Sequence, residues 1–208
     1  MRIWMLLGFL LLQCGSGLAQ TDEKGPSANT PAYTAEGRLV FPTNYRTWIY
    51  LTSGLDMSYS PNAMKMDHSI FDNVFVNPEA YQAFLATGTW PDKTMLVLEA
   101  RVAGTNASIN KSGHFQTHEL MGREVHVKDE ARFPGKWAFF GFDSTEPSKM
   151  VPKEAACYLC HEQHAAVDTT FVQFYPTLID IAKNKGTLSA AYLKDEAAAS
   201  AAKSEKKK

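Results

Sequence analysis

Cysteine is scarce in this chain, three among 208 residues, and that scarcity excludes a disulfide-stapled scaffold. Neither sign of charge prevails: 21 Lys and Arg face 22 Asp and Glu, for a formal net charge of -1 and a pI near 6.6. No basic field exists to hold nucleic acid across the surface, so no nucleic-acid partner is expected. Long apolar runs are missing too. The run Ile3 to Leu12 falls well short of the ~20 residues that a membrane span needs. What remains is 45% hydrophobic and 21% charged, the composition of one ordinary globular domain with length to spare, and disorder along the whole chain is excluded.

Residues 1–19 have the form of an export signal, since Arg2 precedes the apolar run and small residues follow it to Gly17-Leu18-Ala19. Cleavage there starts the mature chain near Gln20, removes Cys14 and leaves Cys157 and Cys160. The expected location is periplasmic or secreted. Residues 20–36 are rich in Ser, Pro, Gly, Thr and charge and read as a flexible leader. Residues 187–208 are Ala- and Lys-rich and read as a flexible tail. The body, 37–186, is expected to be the functional domain.

Within the body, strand and helix signals alternate. Trp48 to Thr52, Phe71 to Val76, Thr94 to Val102, Arg123 to Lys128 and Trp137 to Phe142 read as strands, the last buried on both faces. In the third, Leu96, Leu98, Ala100 and Val102 make an apolar face, while Glu99 and Arg101 end an opposite face expected to be wetter. In the fourth, Val125 and Val127 point one way and Glu124, His126 and Lys128 the other. Asn77-Pro78-Glu79 opens a short helix, and Lys153 to Gln163 and Thr177 to Lys185 have helical composition. Strands first and helices mostly at the end predict an α+β fold with a predominantly antiparallel sheet.

Cys157-Tyr158-Leu159-Cys160-His161 is C-x-x-C-H, the attachment motif for a c-type haem. Two thiols three residues apart sit on one helical turn, where each can add to a vinyl group of the porphyrin, and the next residue offers a ring nitrogen to iron. A thioredoxin-like redox pair and half of a zinc site share the cysteine spacing. The first requires a strand–motif–helix unit and the second two more ligands. One covalently attached haem c is therefore expected, with His161 as metal ligand. The usual candidates for a sixth ligand are His68, His114, His118, His126 and His164, with Met57, Met64, Met66, Met95, Met121 and Met150, and the Met64, Met66, His68 cluster reads either as the source of that ligand or as a Met-rich loop that packs. His164, three residues past His161 on the same helix, reads as a surface residue or a partner for a propionate.

Asn44-Tyr45-Arg46-Thr47-Trp48, Val76-Asn77-Pro78-Glu79-Ala80-Tyr81, the strand after Pro91-Asp92-Lys93-Thr94, Val127-Lys128-Asp129, Arg132-Phe133-Pro134, Trp137-Ala138-Phe139-Phe140, the C-x-x-C-H and Phe171-Val172-Gln173-Phe174-Tyr175-Pro176 follow one another in an order that resembles the cytochrome P-460 family. The resemblance runs from about Phe41 to Ile179. It implies a mainly antiparallel sheet, one c-type haem with histidine below and an open or weakly held position above, and a homodimer. Some members oxidise hydroxylamine or nitric oxide, and a branch called cytochrome c-prime-beta binds small gases.

Those enzymatic members carry a lysine joined covalently to the haem, and that position falls here at Leu98. Lys93 precedes it by an odd number of residues and points to the other face of the strand. The family's distal carboxylate falls at Glu124, and an arginine of some members is replaced by Asp72. At Glu124 two readings stay open, a buried proton acceptor for hydroxylamine and a solvated strand residue. With Leu98 and an aromatic such as Phe71 lining the distal side, the resemblance implies a dry pocket for neutral diatomics such as nitric oxide, served by a redox partner protein.

Overall fold

The computed structural model describes residues 29–59 and 67–205. A 3₁₀ turn at Tyr45–Thr47 leads into strand β1 (Ile49–Leu55), followed by β2 (Ile70–Val76), helix α1 (Pro78–Thr87), β3 (Met95–Gly104), β4 (Phe115–Lys128) and β5 (Trp137–Phe142). Helix α2 (Ala156–His164), a second 3₁₀ turn at Val172–Phe174, α3 (Ile179–Lys185) and α4 (Ala190–Glu205) complete the chain. The strands pair in sequence order, each antiparallel to the next, as one five-stranded meander. The fold is α+β, as the element pattern predicts.

Both faces of this sheet are covered, by different parts of the chain. Because side chains alternate along a strand, Met95 and Val97 of β3, Val125 and Val127 of β4, Phe75 of β2 and Ala138, Phe140 and Phe142 of β5 share one face. There they pack with Leu39, Phe41, Tyr45, Trp48 and Phe133. On the other face Val76, Leu96 and Trp137 meet Ala80 and Phe84 of α1, Ala182 of α3 and the loop residues Trp90, Val172 and Leu178. This second core occupies one end of its face and leaves the other end, around Leu98, bordering a cavity instead of packed side chains.

The wetter face expected for β3 is corrected by the structure, which buries Glu99 completely at 0% exposure. Its carboxylate is tolerated there because three side chains neutralise and bond it: the Tyr45 hydroxyl donates to it, as do Arg46 Nη2 at 2.8 Å and Arg101 through Nε at 2.6 Å and Nη2 at 3.1 Å. Burial alone raises the Glu99 pKa, but the hydrogen bonds from Arg101 and Tyr45 and the charges of both arginines outweigh it and hold the carboxyl below its usual range.

Strand β4 starts well before Arg123. Its first half, from Phe115, pairs with the end of β3 beyond register shifts at Ala100/Arg101 and Arg101/Ala103, and most of its residues stay exposed or half-buried, so no apolar period marks it in the sequence. Helix α1 starts with Pro78 at its first turn and ends at Gly88, whose φ of 75° is the left-handed conformation that glycine adopts without strain. A Cβ there would lie 2.8 Å from Lys185 Cβ and 2.9 Å from Thr187 Oγ1, so the glycine also permits α1 to dock on the end of α3. The segment expected to be a flexible tail from residue 187 instead contains α4, which contacts α2 and buries none of its side chains.

Candidate cofactor site

Helix α2 follows the loop at Pro152 and stops where Ala165 turns extended, its N–H still donating to the His161 carbonyl at 3.1 Å. The helical turn puts Cys157 and Cys160 on one side, half-buried and free rather than joined in a disulfide. No residue of α2 is fully buried, so this helix contributes almost nothing to either core. His161 turns its ring toward the sheet. Its Nδ1 lies 2.7 Å from the Thr169 carbonyl oxygen, and since a carbonyl only accepts, Nδ1 carries the proton and Nε2 the free lone pair. Desolvation pushes the ring's pKa down, which keeps it neutral and able to bind a metal. Around it stand Phe171 at 4.2 Å, Phe139 at 4.7 Å and His126 at 5.4 Å between ring centroids.

These rings border a cavity of about 320 Å³ at the Leu98 end of the second sheet face. Asp72 and Val74 of β2, Leu96 and Leu98 of β3 and Glu124 and His126 of β4 form its sheet wall. His161, Phe171, Phe174 and Tyr175 form the opposite side, and Met57 and Tyr59 are also among the lining residues. Register explains the grouping. Leu98 pairs with Val74 on one side and Glu124 on the other, while Asp72 pairs with Ala100 one pleat further along. His126 is buried and stacked on Phe139 at 3.9 Å and 13°, and burial drives its pKa well below the usual value, so it lines the wall as a neutral ring.

Two carboxyl groups thus share one wall. Desolvation, with the charge of Glu124 second, raises the Asp72 pKa. Glu124 is itself exposed to the open cavity, yet the surrounding protein still removes enough water from its carboxyl to raise its pKa. Among the described residues that line the cavity there is no lysine or arginine.

Cys157, Cys160, His161, Leu98 and Glu124 are therefore brought to one region, the last three as lining of one cavity. Phe71 is not. The pleat sends Asp72 and Val74 into the cavity, and Phe71, an odd-numbered neighbour, lies on the face of Asn73 and Phe75; Phe171, Phe174 and Phe139 supply the aromatic wall that was expected from it. Of the alternative iron ligands among the described residues, only Met57 and His126 line the cavity, and the His126 Nε2 is within 3.3 Å of the Thr169 hydroxyl. Met95 belongs to the first core, His114, His118 and Met121 are exposed, and Met150 borders a separate hollow beyond Phe139. His68 bonds to Asp67, and His164, half exposed, bonds to Asp195 of α4 at 2.6 Å. Met64 and Met66 lie outside the described residues.

A family model described as Cytochrome P460 matches residues 42–172, well over half of the chain. The chain belongs to the cytochrome P460 family. Members of this family bind haem, and the residues found here fit that group on their own chemistry. Two unpaired thiols stand one helical turn apart, an imidazole with an oriented lone pair follows them, and the helix that carries all three faces an aromatic-walled cavity instead of a packed core. No curated protein matches the chain. The family assignment leaves two features of the cytochrome P460 site to be found in the structure. Thr169 orients His161 through a backbone carbonyl, for which no side-chain signal exists. Asp72 joins Glu124 on the cavity wall, a placement readable from strand alternation once the β2–β3–β4 register is known.

Proposed function

We propose that this protein is an exported c-type cytochrome whose single haem binds or processes small nitrogen-containing molecules, nitric oxide foremost. In this reading Cys157 and Cys160 would hold the haem, each thiol adding across a vinyl group with its proton passing to the neighbouring carbon so that nothing is oxidised or lost, and His161 would offer its Nε2 to the iron. The haem, when bound, supplies an iron that can coordinate such a ligand and change oxidation state.

The observation that carries this reading is the composition of the cavity wall: two carboxyl groups, apolar side chains and no cation among the described lining residues. Carboxylates repel anions at short range, whereas a neutral molecule escapes that repulsion and finds apolar surface at Leu98, Val74 and Phe171. Selection for neutral ligands follows from charge rather than from dryness. Leu98 stands where the family's enzymatic members carry a cross-linking lysine, and a leucine forms no such bond. Hydroxylamine is a second reading, favoured by the place of Glu124, whose carboxylate can accept a proton from a bound N–H or O–H group.

The reduced absorption spectrum with and without carbon monoxide tests the proposal. A high-spin spectrum that shifts on adding the gas supports an open position. Sharp low-spin bands indifferent to it show a sixth ligand from the protein, for which Met57 and His126 are the candidates among the described residues of the cavity wall, and make the protein an electron carrier. Hydroxylamine turnover with an electron acceptor, slowed in Glu124→Gln, favours the second reading; turnover at an unchanged rate in that variant removes the proton-acceptor role. Periplasmic or secreted location, a redox partner protein and a homodimer belong to the same proposal.

A further inference from the structure

The Thr169 carbonyl that accepts from His161 belongs to a short turn closed by the bridge between Val167 and Thr170. Its neighbour Asp168 has φ 51°, a left-handed conformation that costs a non-glycine residue energy and persists only when its surroundings enforce it. Two groups from elsewhere in the chain grip the turn. On one side the Thr170 hydroxyl donates to the Val167 carbonyl at 2.8 Å and accepts from Trp90 Nε1 at 2.7 Å. On the other the Lys128 ammonium, at the end of β4, reaches Asp168 Oδ2 at 3.2 Å and donates to the Trp90 carbonyl at 2.7 Å.

Lys128 is an unusual residue to find there. Its side chain is only 9% exposed, and its ammonium lies 5.7 Å from the centroid of Trp137 and 3.6 Å from Glu130. A buried ammonium is costly unless several acceptors hold it. Those acceptors belong to the loop after α1 and to the turn after α2, so one cation ties the turn that orients His161 to the edge of the second core.

We propose that Lys128 and Asp168 are positioning residues for His161: their ion pair holds the left-handed turn that aims the Thr169 carbonyl at Nδ1. The inference rests on His161 being the axial ligand. A hydrogen bond at Nδ1 fixes the ring's orientation and makes Nε2 a stronger electron donor, which favours the oxidised metal. Loosening the turn therefore weakens the iron–histidine bond and raises the reduction potential, without altering any residue that lines the cavity.

The experiment compares the iron–histidine stretching frequency of the reduced holoprotein and its reduction potential for the wild type, Lys128→Met, Asp168→Asn, Lys128→Arg and His161→Ala. Asp168→Asn keeps the side chain's shape and its tolerance of positive φ and removes only the charge, so it folds even where Lys128→Met does not. Expected are a stretching band lost in His161→Ala, a lower frequency and a higher potential in Lys128→Met and Asp168→Asn, and values restored toward wild type in Lys128→Arg. Wild-type values in both Lys128→Met and Asp168→Asn overturn the positioning role. A band that survives in His161→Ala overturns instead the ligand assignment on which it rests.

Discussion

Replacing Glu99 by glutamine removes one negative charge from the first core and leaves three donor side chains facing an amide whose nitrogen is itself a donor. Breaking one side of a buried ion pair costs about 3–5 kcal/mol. Here the two cations differ, since the Arg46 side chain is 52% exposed and Arg101 only 16%. Solvent screens the Arg46 contribution to under about 1 kcal/mol, so the loss is dominated by Arg101 and falls near the lower limit, about 3 kcal/mol. For a domain of this size that lowers Tm by about 6–12 °C.

The pH dependence has a definite sign. The folded-state pKa of Glu99 is depressed, so its stabilisation is full above the unfolded value near ~4.5 and fades as pH falls through the folded one. Urea unfolding followed by far-UV circular dichroism at pH 7 and pH 3 measures both quantities. A difference below about 1 kcal/mol at pH 7, or a gap between wild type and variant that does not narrow in acid, refutes the assignment of Glu99 as a charged, paired core residue.

Gly88→Ala must strain the φ of 75° and crowd Lys185, and it is expected to destabilise by about 1–3 kcal/mol in the same unfolding assay. In Cys157→Ala/Cys160→Ala, denaturation should release all haem colour from the chain, whereas either single variant should retain part of it; covalent stain surviving the double substitution contradicts attachment at these thiols. Fluoride binding to the oxidised protein should weaken severalfold as pH rises through the elevated carboxyl pKa values of Asp72 and Glu124, because each ionised group adds like-charge repulsion in the same cavity. Asp72→Asn/Glu124→Gln should flatten that profile; an identical slope in the variant removes charge exclusion by this wall.

What was legible in the sequence was whatever has a strong local period or motif. The bounds of β5 are those expected, because an aromatic strand buried on both faces has no polar position to blur its ends. The C-x-x-C-H helix announces itself by spacing. Glu99 was misread because a carboxylate in an alternating strand is normally solvated, and only the fold brings Arg46 and Tyr45, some fifty residues away in sequence, to meet it. Phe71 failed for a simpler reason: naming an aromatic near a site says nothing until the pleat decides its face. Leu98 and Glu124 reached the cavity together because register, not sequence distance, makes them neighbours. The first half of β4 and α4 lacked any apolar face to reveal them, since neither buries much.

The sheet's two faces divide their duties unequally. The side under Leu39, Phe41 and Trp48 is sealed by aromatic and aliphatic packing, and half of the reverse side is locked by α1 and α3. Anchorage is thus complete before the positions held by Asp72, Leu98 and Glu124 are counted. Those three side chains can therefore be exchanged, and the chemistry of the cavity changed, with little penalty to the frame that displays them.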